Sequence, residues 1–443
     1  MFDITKAVEK HRALIFEAMD FIWKHPETGY KEVETSKYLE EKYMELGYEL
    51  VKADEITGFY TCIDTGRPGP EVLILGELDC VICPSHPAAN PKTGAVHACG
   101  HHLQSATLLG IAAALKEPGA LDDLCGKIRL CAVPAEELLE IEYRMELKKA
   151  GKIKYFGGKN EFLSRGYFDG VDLAFMVHAG IKANVVPFWN GCLAKNIIYK
   201  GTAAHAGGSP WNGHNALYAA NCGMNAVNAI RETFKESDYS RVHPIITHGG
   251  DVVNTIPENV KLESYVRGKT MEAIIDVNKK VNQALIGAAL SVNTNVEIID
   301  MPGYSPLVND TNLMQLAKDA ADLVAPELHF TINNSVTTGS TDMGDLSCIM
   351  PVVHPSFAGC SGTLHANNFN VDDPETACIT NAKFQLTLLR MLLENDAKRA
   401  KEIIANFKPR FASKEEFLAF VEGLNDSGDR IKYNENGLTE IRL

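Results

Sequence analysis

Apolar and polar positions along the chain predict helices and strands that alternate. Apolar residues recur at helical spacing in three early segments, from about Ile4 to Trp23, from Val33 to Leu46 and from Leu103 to Leu115. Short apolar runs predict buried strands from Glu71 to Leu75, from Ile128 to Val133 and from Leu173 to Val177. This alternation predicts an α/β fold in which helices cover a mainly parallel sheet.

The middle of the chain follows a different pattern. Strands are predicted at Leu193 to Tyr199, Pro244 to His248, Val260 to Val266 and Val296 to Ile299. Helices are predicted at Asn215 to Phe234 and Met271 to Leu290. The order β-α-β-β-α-β indicates a ferredoxin-like α+β domain at about 190–305, inserted into a discontinuous domain of 1–189 and 306–443. The discontinuous domain resumes with a helix from Asn312 to Leu323, and the charged tail from about Ala397 is predicted to be helical.

Length and charge narrow the class of protein. A chain of 443 residues exceeds the usual size of a single hydrophobic core, so two domains are expected. The net charge of −14 argues against nucleic acid or an anionic membrane as partner, although a pocket can be locally basic. Neither a signal peptide nor an apolar stretch of ~20 residues is visible, so we expect a cytoplasmic protein. Its 11 cysteines are then expected to be reduced.

Side chains that can bind metal or transfer protons follow the predicted strands. They are Asp79, the adjacent Glu136 and Glu137, His178, and the pair Cys99 and His101 in a glycine-containing turn. Each has an ordinary explanation by itself: a turn residue, a solvated loop, a structural hydrogen-bonding group or a buried thiol. In open parallel sheets, however, ligands bind at the carboxyl ends of strands. Because thiolate and imidazole favour zinc-like ions, the combination predicts a metal site.

A series of motifs extends this interpretation. In chain order they are L-D-x-x-x-x-P, H-A-C-G-H, P-A-E-E, M-V-H-A, G-T-A-A-H-A, G-G-D-V-V-N-T-I-P and S-T-D-M-G-D. The series resembles the metal-dependent amidohydrolases that include aminoacylases, carboxypeptidases and indole-acetyl-amino-acid hydrolases. S-T-D-M-G-D, at Ser340 to Asp345, is most similar to the branch of aminobenzoyl-glutamate hydrolases and dipeptidase-like proteins. The resemblance extends from about Lys24 to Phe369.

The resemblance implies a site with two divalent ions, zinc or manganese. Cys99 would bridge the two ions. One ion would also bind Glu137 and His365, and the other would bind His101 and His178. The loop sequence around His365 does not by itself indicate a metal ligand. Glu136 would be the general base, and Asp79 would orient a ligand imidazole from behind.

The resemblance also implies roles for the inserted domain, which would act as a lid and as a dimerisation domain. His205, in G-T-A-A-H-A, would reach the active site of a neighbouring subunit. Asn254 and Arg267 would hold a substrate carboxylate, a task that suits the planar fork of arginine. A homodimer or a higher homo-oligomer is therefore expected.

Two features depart from the family pattern. His102 stands where relatives usually carry aspartate after C-G-H, which indicates an altered outer shell around an intact site. The segment between Glu137 and His178 is long and contains a basic stretch, which is either a solvated loop or a part of the substrate entrance.

The sequence thus predicts a two-metal amidohydrolase that cleaves the amide bond of N-acyl amino acids, such as aminobenzoyl-glutamate. A metallo-dipeptidase remains an alternative, because it would share all of this chemistry and differ only on the acyl side. A catalytically inactive metal-binding scaffold is the alternative from another class, and the presence of Glu136 with a complete ligand set argues against it.

Overall fold

A computed structural model describes residues 2–434 and 437–443 of the chain. The chain forms two compact units, each built from separate segments. The first unit comprises Met1–Phe188, Leu307–Val336 and Asp345–Lys414. The second unit comprises Trp189–Pro306, Thr337–Gly344 and Glu415–Leu443.

The first unit is built on a six-stranded sheet with a parallel centre. Its strands lie in the order Val51–Lys52, Phe59–Asp64, Lys127–Val133, Glu71–Glu77, Leu173–Phe175 and Val352–Val353. The last four strands are parallel to one another, and the first two are added antiparallel at one edge. Every residue of the central strand is buried, as expected where helices cover both faces. The predicted α/β class with a mainly parallel sheet is confirmed.

Helices and shorter strands surround this sheet. The helices are Ile4–Lys10, Arg12–Lys24, Val33–Glu45, His101–Leu115, Ile141–Lys149, Gly158–Ser164, Thr311–Val324 and Asn381–Asn406. Short paired strands are Val81–Ile82 with Ala95–Val96, Cys360–Ser361 with Asn370–Val371, and a group formed by His178–Ala179, Asn184–Val185, Thr331–Ile332 and Ser356–Phe357. The single helix predicted from Ile4 to Trp23 is in fact two helices, which meet at His11.

The helix His101–Leu115 lies at the centre of the first unit, and all of its residues are buried. Small residues let it pack closely against the helix Arg12–Lys24. A Cβ atom at Gly110 would lie 2.5 Å from a methyl carbon of Ile15, so only glycine fits there without movement. Gly100 precedes the helix with φ of 90°, a left-handed conformation that glycine adopts without strain.

The second unit has the predicted β-α-β-β-α-β order. Its sheet runs Arg241–Val242, Asn259–Gly268, Gly191–Lys200, Asn295–Tyr304 and Asp426–Asp429, and Ile245–His248 also pairs with the second of these strands. Its two long helices are Ala216–Ala229 and Met271–Ser291, whose apolar residues pack with those of the sheet in one core. The first helix ends five residues before the predicted Phe234, where a 3₁₀ turn at Arg231–Thr233 follows.

The end of the chain differs from the prediction, which placed a helical tail in the discontinuous first domain. The helix Lys414–Glu422 is followed by the strands Asp426–Asp429, Ile431–Asn434 and Gly437–Ile441. Asp426–Asp429 pairs with Asn295–Tyr304, so the residues from Glu415 onward belong to the second unit. Arg430 secures this tail, because its buried guanidinium bonds to Asp426 and to the carbonyl of Ile298.

Among the described residues, no helix combines the length and the apolar character that crossing a membrane requires.

Candidate metal centre

Polar side chains of the first unit converge where its parallel strands end. Asp79 follows the strand Glu71–Glu77, and Glu136 and Glu137 follow Lys127–Val133. His178 comes shortly after Leu173–Phe175, where the chain leaves the main sheet and pairs with Ser356–Phe357. The carboxyl ends of neighbouring parallel strands share one edge of a sheet, which brings these residues together.

Cys99 lies at the centre of the cluster. Its Sγ atom is 3.4 Å from Nε2 of His178. The donor atoms of Cys99, His101 and His178 all lie within 4.8 Å of one another, and so do those of Cys99, Glu137 and His365. The two groups share only the thiol, so the structure brings together the five predicted ligands as two sets of three.

The surroundings of Cys99 favour its thiolate form. Burial and the nearby carboxylate of Glu137 oppose ionisation of this thiol. The imidazoles of His101 and His178 outweigh both effects and lower the pKa of Cys99 to about 6. Since the thiolate is the form that binds metal, the site is prepared for a cation near neutral pH.

Asp79 contacts residues of both groups. Its Oδ1 atom lies 3.1 Å from Nδ1 of His101, and its main-chain carbonyl lies 2.9 Å from the same nitrogen. Its Oδ2 atom accepts a hydrogen bond of 2.8 Å from the main-chain N–H of Glu137. With Nδ1 of His101 held in this way, Nε2 points away from Asp79 with its lone pair available, which is the arrangement expected of a ligand histidine.

Two buried atoms of the cluster have no hydrogen-bond partner among the described residues. They are Nε2 of His101 and Oε1 of Glu137. Oε1 of Glu137 lies 2.9 Å from Nε2 of His365, and Nε2 of His101 lies 3.1 Å from Oε2 of Glu77, but neither contact has hydrogen-bond geometry. Buried polar atoms without partners are costly, and a cation bound in each ligand group would satisfy both atoms. The donor set of thiolate, imidazole and carboxylate therefore fits divalent metal ions.

Glu136 is buried beside the ligands but belongs to neither group that contains Cys99. Its Oε2 atom lies 3.8 Å from Nε2 of His101. The turn that carries it is held in place, because the N–H of Ala135 donates a 2.8 Å hydrogen bond to Glu32, and Arg144 donates to the carbonyl of Glu137. The two adjacent glutamates have different neighbours, since Glu136 is grouped with Glu77 and His101, and Glu137 with Cys99 and His365.

Two buried residues near the centre were missed in the sequence. Glu77 ends its strand two residues before Asp79, and its Oε1 atom accepts a 2.5 Å bond from Nζ of Lys159. Burial opposes ionisation of Glu77, but Lys159 and His101 hold its pKa below the usual range. His354 follows the strand Val352–Val353, and its ring centre lies 5.7 Å from that of His178. Glu77 could have been found as a charged residue at the end of an apolar run. His354 could have been found as a histidine that follows a short strand.

The remaining predicted residues lie in the second unit. His205 is exposed and forms an isolated bridge with Thr255, and the N–H of Ala206 donates to the carbonyl of Asn254 at 2.9 Å. The structure therefore brings His205 and Asn254 close together. Arg267 lies on the strand Asn259–Gly268, where its Nη1 atom donates a 2.9 Å hydrogen bond to Ser340.

Comparison with known proteins decides the family. The model that describes peptidase family M20/M25/M40 matches residues 73–390. This chain belongs to peptidase family M20/M25/M40. The predicted resemblance is thereby confirmed.

Individual M20 relatives are moderately similar. The chain is 30% identical to Xaa-Arg dipeptidase of Mus musculus, in a match that covers 59% of this chain and 57% of that protein. It is 31% identical to one chain of the p-aminobenzoyl-glutamate hydrolase of Escherichia coli, over 54% of both sequences. The matches thus span less than two thirds of either relative. A dinuclear metal-binding M20 peptidase of Bacillus subtilis has the same fold, with a TM-score of 0.61, 21% identity, and coverage of 86% and 99%.

Both departures from the M20 pattern have a structural counterpart. The long segment after Glu137 supplies Arg144 to the glutamate turn and Lys159 to Glu77, so part of it is a buried support. His102 is buried with its ring centre 4.9 Å from that of Trp23. Burial and the neighbouring His101 lower the pKa of His102 to about 3, so a neutral imidazole occupies the place of the usual carboxylate.

The shared thiol leads to a prediction about metal content. Cys99→Ala removes the only atom common to both ligand groups, so we expect loss of most of the bound metal. The measurement is elemental analysis of the purified variant and parent after reconstitution. Cys131→Ala is the matched control, because it removes a buried thiol from the strand Lys127–Val133 and should leave metal content unchanged. Equal metal in the Cys99→Ala variant and the parent would contradict the assignment.

Proposed function

We propose that this chain is a two-metal amidohydrolase that cleaves the amide bond of N-acyl amino acids of the aminobenzoyl-glutamate kind. The observation that carries the proposal is the pair of ligand groups that share the Cys99 thiol. Membership of the M20 family supports it, and so does the similarity to the p-aminobenzoyl-glutamate hydrolase of Escherichia coli. Zinc and manganese both suit the donor set.

The proposed ligands form two sets, one for each ion. Cys99, His101 and His178 would hold one ion, and Cys99, Glu137 and His365 the other. Bound divalent ions supply two effects, a lower pKa for a water molecule and polarisation of the substrate carbonyl. Asp79 keeps His101 in the tautomer that leaves Nε2 available.

Glu136 would move the proton. Its buried carboxylate, beside the ligands, would accept a proton from the attacking water and later transfer it to the leaving nitrogen. The two ligand groups that share Cys99 do not include this carboxylate, which instead has an oxygen within 4.8 Å of donor atoms of Glu77 and His101. Proton transfer and metal binding can therefore be separated by substitution.

His205 would stabilise the oxyanion of the tetrahedral intermediate. Its Nδ1 atom accepts hydrogen bonds from the N–H groups of Gly207 at 3.1 Å and Gly208 at 2.9 Å. In the neutral ring the proton must then be on Nε2, which makes that atom a donor. A donor aimed at developing charge is often worth about 3 kcal/mol to the transition state.

We further propose that His205 acts in the site of a partner chain. Trp211 and Tyr218, which are near it in the sequence, are 78% and 64% exposed, and Val253, two residues before its bridge partner Thr255, is 100% exposed. Exposed apolar side chains of this size support self-association of the second unit. In a homodimer, each chain would then lend its His205 to the other.

A metallo-dipeptidase remains the second candidate, because the similarity to Xaa-Arg dipeptidase favours it. The two functions differ in whether the acyl side carries a free ammonium. A hydrolysis screen with aminobenzoyl-glutamate, N-acetyl amino acids and dipeptides, each with zinc and with manganese, separates them. Hydrolysis of the dipeptides alone would favour the dipeptidase.

The proposed base gives a sharp prediction. Glu136→Gln is nearly isosteric but cannot accept a proton, so turnover should fall by at least ~100-fold, the usual scale for a positioned general base. Metal content, measured on the same sample, should equal that of the parent. Glu146→Gln removes an exposed carboxylate nearby in the chain and serves as the control. Turnover near that of the parent in Glu136→Gln would exclude this role.

Mixing of variant chains tests the partner histidine. His205→Ala and Glu136→Gln chains should each be nearly inactive as homodimers. A mixed dimer would contain one site with both a working base and a working partner histidine, so partial activity should return on mixing. Mass spectrometry of tagged chains verifies the exchange. If exchange is complete and activity stays absent, His205 does not act across the dimer.

A further inference from the structure

Two arginines of the second unit face each other across neighbouring antiparallel strands. Arg241 is paired in register with Arg267, and Val242 with Val266. Both valines are buried in the core between sheet and helices. Because side chains alternate along a strand, the two guanidinium groups project from the opposite face of the sheet. We call them the arginine pair.

Such a pair is unfavourable without a counter-charge. Residues directly opposite on antiparallel strands have Cβ atoms about 4.5–5.5 Å apart, and like charges there are destabilising. In the described part of the chain, neither arginine forms an ion pair with a carboxylate. Arg241 donates to the carbonyl of Ser240 at 2.9 Å, and Arg267 donates to the hydroxyl of Ser340 at 2.9 Å. These are neutral acceptors, although the chain as a whole carries a net charge of −14.

The two arginines differ in how firmly they are held. The guanidinium of Arg267 lies 5.3 Å from the ring centre of Tyr265 and is also fixed by Ser340. Arg241 is exposed, and its one hydrogen bond to a described residue is to the carbonyl of Ser240. Each guanidinium has five N–H donors, so most donors of the pair remain available for an anion.

We propose that the arginine pair selects amino acids with two carboxylates, so that the natural substrates are N-acyl derivatives of glutamate or aspartate. This inference rests on the proposed function, in which Arg267 holds the α-carboxylate. Arg241 would take the side-chain carboxylate of the same residue. The two carboxylates of an acidic amino acid are separated by only a few carbon atoms, which suits two neighbouring planar forks. The anion would also remove the repulsion between the arginines.

Hydrolysis kinetics provide the first test. N-acetyl-L-glutamate and N-acetyl-L-glutamine are nearly isosteric and differ in the second charge. For the metal-loaded parent, kcat/KM should favour the glutamate derivative by about 10-fold or more, the scale of a hydrogen bond to a charged group. Arg241→Gln should abolish this preference, mainly through a higher KM for the glutamate derivative, and Arg241→Lys should retain part of it.

Lys279→Gln is the matched control. It removes one positive charge from the same unit, at an exposed position on the helix Met271–Ser291, and should keep the ratio of the parent. Equal kcat/KM values for the two substrates in the parent, or an unchanged ratio in Arg241→Gln, would overturn the inference and leave the proposed function intact.

Direct binding separates the two proposals. Isothermal titration with glutarate, and with butyrate as a monocarboxylate of similar length, needs no turnover. Glutarate should bind the parent about 10-fold more tightly than butyrate, and Arg241→Gln should remove the difference. If this preference is found but no N-acyl amino acid is hydrolysed, the proposed function fails and the dicarboxylate site stands. If glutarate and butyrate bind equally, the arginine pair is not such a site.

Discussion

The buried thiol of Cys99 belongs to both groups of candidate ligands, and this shared atom constrains the structure around it. A thiolate next to the carboxylate of Glu137 is stable in a dry interior only if positive charge compensates for the repulsion. The imidazoles of His101 and His178 supply part of that charge in the protein itself. Divalent cations would take the place of the imidazole protons and supply the charge instead, and the two buried donor atoms that lack hydrogen-bond partners among the described residues fit this role.

Three backbone positions around the proposed ligands have an energetically unfavourable or glycine-requiring conformation. Gly100, Ala135 and His365 adopt left-handed φ values of 90°, 55° and 64°, each at or next to a proposed ligand or base. For a residue other than glycine, such a conformation costs of the order of 1–3 kcal/mol and needs support from its surroundings. Glu32 and Arg144 give that support to the glutamate turn. The strained backbone positions near the proposed ligands are therefore stabilised by hydrogen bonds from buried residues behind them.

Local patterns were sufficient to predict the elements and the residues at strand ends. Asp79 and Glu137 follow apolar runs, and the periodic spacing of the middle segment fixed the order of the second unit. Non-local partners left no such signal: the contact between Glu77 and Lys159 joins distant parts of the chain. The strand Asp426–Asp429 was missed for the same reason, since D-S-G-D has low β propensity and is ordered by pairing with Asn295–Tyr304.

Locating the bound metal ions is the most direct test of the shared-thiol site. A crystal of the manganese-loaded protein, measured near the manganese absorption edge, shows each ion as a peak in the anomalous difference map. We expect two peaks per chain, both within bonding distance of Sγ of Cys99, one beside His101 and His178 and the other beside Glu137 and His365. A single peak, or a second ion without contact to Cys99, would contradict the shared-thiol site.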